Sequence, residues 1–253
     1  MKRSLKTNAI ILKRANVNEA DRLITIFSET AGKLTVKARA VRRPLSKLAG
    51  GLELLYLSQF HLVQGNSSYT VAEAVPIKVY PAIHRDLKRT ELGFFCAEVV
   101  NRLTEEGIAN KPIFNLLEQA LDFIERSGEP RELFAGWFLL NFLAGEGITP
   151  ELKVCLFCHR PVEEGQLHWS HAQGGLLHAQ HTGVDPAASK IEPKLIKLMR
   201  LMLGAAPTIL PQIKSDYSLA KDFFNLIYDF FRWQTKIELK TVKNFNHSND
   251  SSI

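Results

Sequence analysis

Cysteine is scarce, with three in 253 residues. That is too few for the disulfide framework of a small secreted domain and suits a reducing compartment. No apolar run approaches the roughly 20 residues that cross a bilayer, so no membrane partner is expected. The opening Met-Lys-Arg-Ser-Leu-Lys is basic, but Lys13 and Arg14 interrupt the apolar segment after it, and no uninterrupted apolar stretch leads to a small-residue cleavage site. The chain is therefore expected in the cytoplasm. Catalytic signatures are missing as well: there is no Gly-x-x-x-x-Gly-Lys-Ser/Thr phosphate loop, no Gly-x-Ser-x-Gly elbow, no Gly-x-Gly-x-x-Gly and no His-Glu-x-x-His. Glu19 with Asp21, and Glu105 with Glu106, read as a turn and a solvated helix end rather than acid–base pairs, so no enzyme activity is expected. Internal repeats and low-complexity linkers are also absent.

What the chain does have is concentrated positive charge. Residues 1–50 hold 12 Lys/Arg against 3 Asp/Glu, a net +9, while the whole chain is only +6, which leaves −3 for residues 51–253. A basic end on a mildly acidic body points to a polyanionic partner. Residues 33–40, Lys-Leu-Thr-Val-Lys-Ala-Arg-Ala, alternate strictly, which predicts a strand with Lys33, Thr35, Lys37 and Arg39 on one face and Leu34, Val36, Ala38 and Ala40 on the other. Arg42, Arg43 and Lys47 come next, around Pro44, in a turn-like stretch ending at Gly50-Gly51. Lys33, Lys37, Arg39, Arg42, Arg43 and Lys47 are thus the candidate phosphate contacts. Lys13, Arg14 and Arg22 are secondary candidates whose faces the sequence leaves open.

Two patterns divide the chain. Up to about residue 80, short apolar runs broken by turn residues predict five strands, at 7–14, 22–28, 33–40, 52–63 and 69–77, with a turn at Gly65-Asn66-Ser67-Ser68. Five short strands suggest a small closed barrel of the oligonucleotide/oligosaccharide-binding (OB) type. After Pro81 the period becomes 3.6: Leu92, Phe95, Cys96, Val99, Val100 and Leu103 share one helix face, and Ile113 to Ile124 repeat the spacing behind Pro112. Residues 131–145 and 216–237 are apolar over a wider arc and predict central helices. The fold class is therefore α+β: a five-stranded barrel domain at 1–80, a helical domain at 81–242, and a tail at 243–253 too polar to order.

Inside the helical half, Cys155-Leu-Phe-Cys158 precedes His178-Ala-Gln-His181 by 19 residues. Two clipped pairs joined by a long insert suit a tetrahedral zinc ion, each pair supplying two corners. Gly174-Gly175 permits the reversal that brings the second pair back. His159, His168 and His171 lie in the same segment and leave the pairing open. Four protein ligands leave no place for water, so the zinc finger-like insert at 155–181 is expected to hold one structural zinc. It is also expected to need it, being polar and loop-rich. Cys96, among apolar helix positions, reads as a buried inert thiol.

Taken together, the chain resembles the bacterial RecO family of DNA repair proteins. The resemblance rests on Ala9-Ile-Ile-Leu-Lys, on Asn18-Glu-Ala-Asp-Arg-Leu-Ile-Thr-Ile-Phe-Ser28, on Gly32-Lys-Leu-Thr-Val-Lys-Ala-Arg-Ala-Val-Arg-Arg-Pro44 and on Leu52-Glu-Leu-Leu, then on the ordered Cys-x-x-Cys, Gly-Gly and second ligand pair. Zinc-binding members carry cysteines at the second pair, where this chain has His178 and His181. The resemblance implies a nucleoid-associated recombination mediator of the RecF pathway. Such a protein binds single- and double-stranded DNA, anneals complementary strands, associates with RecR and with the C-terminal tail of single-stranded DNA-binding protein (SSB), and indirectly helps RecA load. Two other readings share these residues: an RNA-binding barrel with a structural zinc clip, and a zinc-dependent hydrolase with an open metal position.

Overall fold

The computed structural model describes residues 4–65, 68–127, 131–162 and 166–243. The expected frayed tail, apart from Lys243, lies outside the described residues, as do Asn66 and Ser67 of the expected turn. Packing divides the chain into two compact units, Met1–Gly128 and Glu129–Ile253. The change from strand to helix does fall at residue 80, but the first three helices pack with the strands that precede them.

In the first unit, β1 (Ser4–Asn16), β2 (Arg22–Ser28), β3 (Gly32–Ala38), β4 (Leu57–Gln64) and β5 (Tyr69–Lys78) close into a barrel in the order β1-β2-β3-β5-β4, with β4 pairing back onto β1. All neighbours are antiparallel except β3 and β5, which meet in parallel through Val36 with Tyr69 and Lys37 with Thr70. The alternation of β3 sends Leu34, Val36 and Ala38 into a core shared with Ala9, Ile11, Ile24, Ile26, Phe60 and Leu62. Two expected strand ends draw in. β3 stops at Ala38 because Ala40 turns left-handed (φ 52°), and β4 starts at Leu57 because residues 49–51 form a 3-10 turn and Leu55 is also left-handed (φ 67°).

Three helices complete this unit: α1 (Pro81–Arg85), α2 (Leu87–Leu103) and α3 (Lys111–Arg126). The Asp86 side chain caps α2 by accepting from Arg89 N at 2.9 Å, and Asn110 caps α3 by accepting from Ile113 N at 3.1 Å. α2 packs against β1, and Phe114 of α3 meets Phe27 of β2 with ring centroids 6.3 Å apart. The chain leaving α2 then runs beside the open edge of β3: Gly107 N donates to Lys33 O at 2.8 Å, and Thr35 N donates to Glu106 Oε1 at 3.2 Å. Gly32 permits this approach, since a Cβ there would lie 1.9 Å from Ile108 O. An exposed edge that would invite pairing with other chains is thereby covered.

The second unit is built on α4 (Arg131–Gly145), α5 (Pro193–Met202) and α6 (Tyr217–Thr235). α4 is buried nearly all round, through Leu133, Trp137, Phe138, Phe142 and their neighbours, as its wide apolar arc predicts. A small antiparallel sheet in the order β7-β6-β8 accompanies the helices: β6 (Leu167–Ser170), β7 (Gly175–His178) and β8 (Ser189–Lys190). This corrects the expectation of a segment with little core. Leu167, Trp169, Leu176 and Leu177 are buried, and Trp169 meets Phe230 of α6 edge to face at 5.4 Å. No helix among the described residues is long and apolar enough to cross a membrane.

Candidate nucleic-acid interface and metal centre

The six expected phosphate contacts have different fates. Lys33 is turned away from solvent: its Nζ donates to Asn101 O at 2.6 Å and Thr104 O at 2.5 Å, the carbonyls that end α2. Its ammonium satisfies carbonyls at the C-terminus of α2 and drops out of the free cationic surface. Lys37 remains on the outer face, where its Nζ lies 3.2 Å from Asp21 Oδ2. Arg39 lies beyond β3, in the turn, rather than on the strand face. It borders a groove of about 290 Å³ lined by Val63, Gln64, Gly65, Thr70 and Ala72, so it sits beside the β4–β5 connection. Arg42, Arg43 and Lys47 are exposed on the loop after it.

Asp21 organises the base of this loop. Its Oδ1 accepts from Ala40 N at 2.8 Å, holding the left-handed turn, while Oδ2 faces Lys37. The Ala40 amide first, and then Lys37, hold its carboxyl below the usual range. Arg42 N donates to Ala20 O at 3.1 Å, and its guanidinium donates to Asn18 O at 3.1 Å. The basic loop is thus tied to the β1–β2 turn. No Asp or Glu occurs between Glu29 and Glu53.

Strand register settles the secondary candidates. Lys13 pairs with Thr25, and Thr25 with Thr35, so these three form one cross-strand row on the outer face, next to the row containing Leu23 and Lys37. Plain alternation from Ala9 and Ile11 would send Lys13 into the core. The register shift between Ile11 and Lys13 leaves Leu12 as an extra residue and turns Lys13 out. No sequence signal marked that bulge. Arg14 lies 2.6 Å from Glu53 and Arg22 donates to Asn16 Oδ1 at 3.1 Å, so both are already partnered. The part of the outer face of β2 and β3 that α2 and α3 leave uncovered, with the β1–β2 and β4–β5 connections beside it, corresponds to the region where OB barrels receive oligonucleotides.

The metal candidates come together in the second unit. The ligand atoms of Cys155, Cys158, His178 and His181 all lie within 4.8 Å of one another. Cys155 and Cys158 sit in a tight knuckle: Cys155 N donates to Arg160 O and His159 N to Cys155 O, both at 2.9 Å, and His159 takes the left-handed position (φ 57°). His178 ends β7 and His181 lies in the 3-10 turn just after it. The reversal ahead of them falls at Gly174 (φ 75°), as its placement suggested. Leu156 N donates to Leu176 O at 2.9 Å, fastening the knuckle to β7. His168 and His171 stay outside the cluster; His171 Nδ1 instead accepts from Trp169 Nε1 at 3.0 Å.

The donor set fits a tetrahedral ion. Cys155 Sγ is 3.4 Å from His181 Nδ1, and Cys158 Sγ is 3.5 Å from His178 Nδ1. Bonds of about 2.3 Å to sulfur and about 2.0 Å to nitrogen give a tetrahedral S···N edge of about 3.5 Å. Burial works to raise the Cys155 thiol, but the backbone N–H groups of Cys158, His178 and Phe157, with the His181 ring, bring it down to about 5. A thiolate is the form that binds metal. The four residues could hold one metal ion, with all corners filled by protein. Cys96 is buried, and that burial pushes its thiol well up, so it is inert.

Comparison with known proteins gives two family matches. The profile described as recombination protein O N terminal matches residues 1–80, and the one described as recombination protein O C terminal matches residues 84–243. Similar curated proteins include the DNA repair protein RecO of Alkaliphilus metalliredigens, 30% identical over 79% of this chain and 81% of that protein. That of Roseiflexus sp. is 32% identical over 79% of this chain and 70% of its own. That of Heliobacterium modesticaldum is 29% identical over 94% of this chain and 88% of its own.

Proposed function

The chain belongs to the recombination protein O family, whose members act in DNA repair and recombination, and we propose that it is a mediator that anneals complementary single strands. The observation that carries this reading is the acid-free, exposed basic loop, tied by Asp21 beside an open barrel face with Lys13 and Lys37. Such a surface screens the repulsion between two phosphate backbones without reading base edges. Binding to single- and double-stranded DNA is then weakly sequence-dependent and strongly salt-sensitive.

In the RecF pathway this activity would serve RecR-assisted loading of RecA on DNA coated with SSB. The SSB tail is acidic and apolar. In the second unit a groove of about 500 Å³ sets Lys236 beside Trp233 and Ile237, with Arg232 there already paired with Asp229 and Glu238; Arg102, Arg126 and Arg131 near apolar helix faces are separate candidates for that tail. The Cys155, Cys158, His178 and His181 set would hold one structural zinc, which when bound supplies a four-way cross-link between the knuckle and the end of β7. The residues themselves hold the two sulfurs and two ring nitrogens at tetrahedral spacing and leave no corner for water, so no reaction is assigned to them.

The test is annealing of complementary oligonucleotides, with and without SSB, by the wild-type protein and by an Arg39→Ala/Arg43→Ala/Lys47→Ala variant. The variant should anneal more slowly and lose about 0.7 to 0.9 of salt slope per phosphate contact removed. Equal rates and slopes would place the DNA surface elsewhere. Matched RNA strands that bind far more tightly than DNA would favour an RNA role instead.

A further inference from the structure

The tip of the basic loop carries one residue that phosphate binding leaves unused. Leu45 is 95% exposed, the most exposed large apolar side chain among the described residues. It is not on a slack segment. Val41 is buried and Leu48 packs against the barrel core, so both ends of the loop are anchored. Between the anchors, Ser46 N donates to Arg43 O at 3.0 Å. That bond closes a turn with Pro44 at its second position, where the ring presets φ, and Leu45 at its third. Arg42, Arg43 and Lys47 are exposed on either side.

An apolar tip flanked by cations is complementary to a polyanion that has apolar faces inside its phosphates. Nucleic acid has that layout, and DNA-binding proteins of several folds insert Leu, Ile, Met or Phe between base steps. We propose that Leu45 is an apolar wedge that enters between neighbouring bases of bound DNA while Arg42, Arg43 and Lys47 hold the flanking phosphates. The proposal rests on the DNA-binding reading of the loop. It adds a physical step to annealing: bases unstacked by the wedge are freer to turn their pairing edges toward a second strand. Leu45 packs on nothing in its own unit, so its substitution leaves the fold intact.

The test uses the full-length protein with single-stranded and duplex oligonucleotides carrying a central 2-aminopurine, whose fluorescence rises on unstacking. Binding of wild type should raise the signal severalfold in at least one arm, and the arm that responds identifies the DNA form engaged. Leu45→Met should keep the rise. Leu45→Ala should lose it and weaken binding by about three- to tenfold, with the salt slope unchanged because no phosphate contact is removed. An Arg42→Ala/Arg43→Ala/Lys47→Ala variant separates the two levels of the argument. If it loses affinity and slope while Leu45→Ala behaves as wild type in both arms, the wedge is refuted and the phosphate surface stands. If the triple variant binds as wild type, the DNA-binding loop fails and the wedge with it. If Leu45→Ala alters only self-association in ultracentrifugation, Leu45 is a contact between copies and the proposal is overturned.

Discussion

Replacing Lys33 by methionine separates a structural lysine from a DNA contact. Methionine keeps the apolar stem but removes the ammonium that donates to Asn101 O and Thr104 O at the end of α2. Hydrogen bonds from a charged donor contribute about 1.5 to 3 kcal/mol, and a cation at a helix C-terminus adds about 0.3 to 1 kcal/mol. Because the two bonds share one ammonium and the carbonyls can find water, a net loss of about 2 kcal/mol is expected. The effect should be local: the segment at 101–108, which covers the edge of β3, should open more often. All three tryptophans, Trp137, Trp169 and Trp233, lie in the second unit, so intrinsic tryptophan fluorescence would miss the change. Hydrogen exchange read by mass spectrometry would not. A loss of about 2 kcal/mol speeds exchange through that opening by about 30-fold, since 1.4 kcal/mol is tenfold. DNA affinity and its salt dependence should stay at wild-type values. Unchanged exchange at 101–108 together with a salt slope reduced by about 0.7 to 0.9 would refute the reasoning and return Lys33 to the DNA surface.

Wild-type protein purified without chelator should carry about one equivalent of zinc by elemental analysis, and exchange of Cys155 and Cys158 for serine should remove it. The double substitution should loosen residues 153–162 and 178–184 to hydrogen exchange while Trp169, packed on Phe230, keeps the β6–β7 hairpin protected; loss of protection across that hairpin would show that metal rather than packing holds it. His159→Gly should stabilise the knuckle by about 1 kcal/mol, because His159 sits at φ 57° where glycine is unstrained, and it should leave metal stoichiometry unchanged; a fall in bound metal would put His159 among the ligands. Asp21 has a carboxyl held below its ordinary 3.8, so its support of the loop is fully present above pH 3.8 and is lost as pH falls through the lowered folded value. The Ala40 amide resonance should therefore titrate with a midpoint below 3.8, and lose that titration in Asp21→Asn.

The contrast between Lys33 and the candidate metal ligands shows which kind of information the sequence carries. The clustering of Cys155, Cys158, His178 and His181 was legible because each pair is set by a local turn and Gly174 marks the chain reversal between them. The face of β3 was legible for the same reason, since alternation fixes parity and Leu34, Val36 and Ala38 are in the core. Parity, however, says which side a residue is on and not what lies there. Lys33 and Lys37 share a side, yet one meets the end of α2, some 70 positions further along the chain, and the other meets Asp21. Lys13 failed in the opposite sense: one extra residue at Leu12 reverses the parity, and nothing in the apolar run Ala9–Leu12 marks which residue is the extra one. The small sheet at 167–190 was missed because its strands are two to four residues long, too short for alternation to mark, and the burial of Trp169 depends on Phe230 of α6, some 60 positions further along the chain. Of the candidate cations, those left over after these tertiary contacts are Lys13 on the strand face and Arg39, Arg43 and Lys47 around the loop, with Lys37 and Arg42 held lightly at its base. The candidate phosphate surface is thus displaced from the middle of β3 toward the loop tip, so substitutions at 42–47 should affect DNA binding more than any at 33–35.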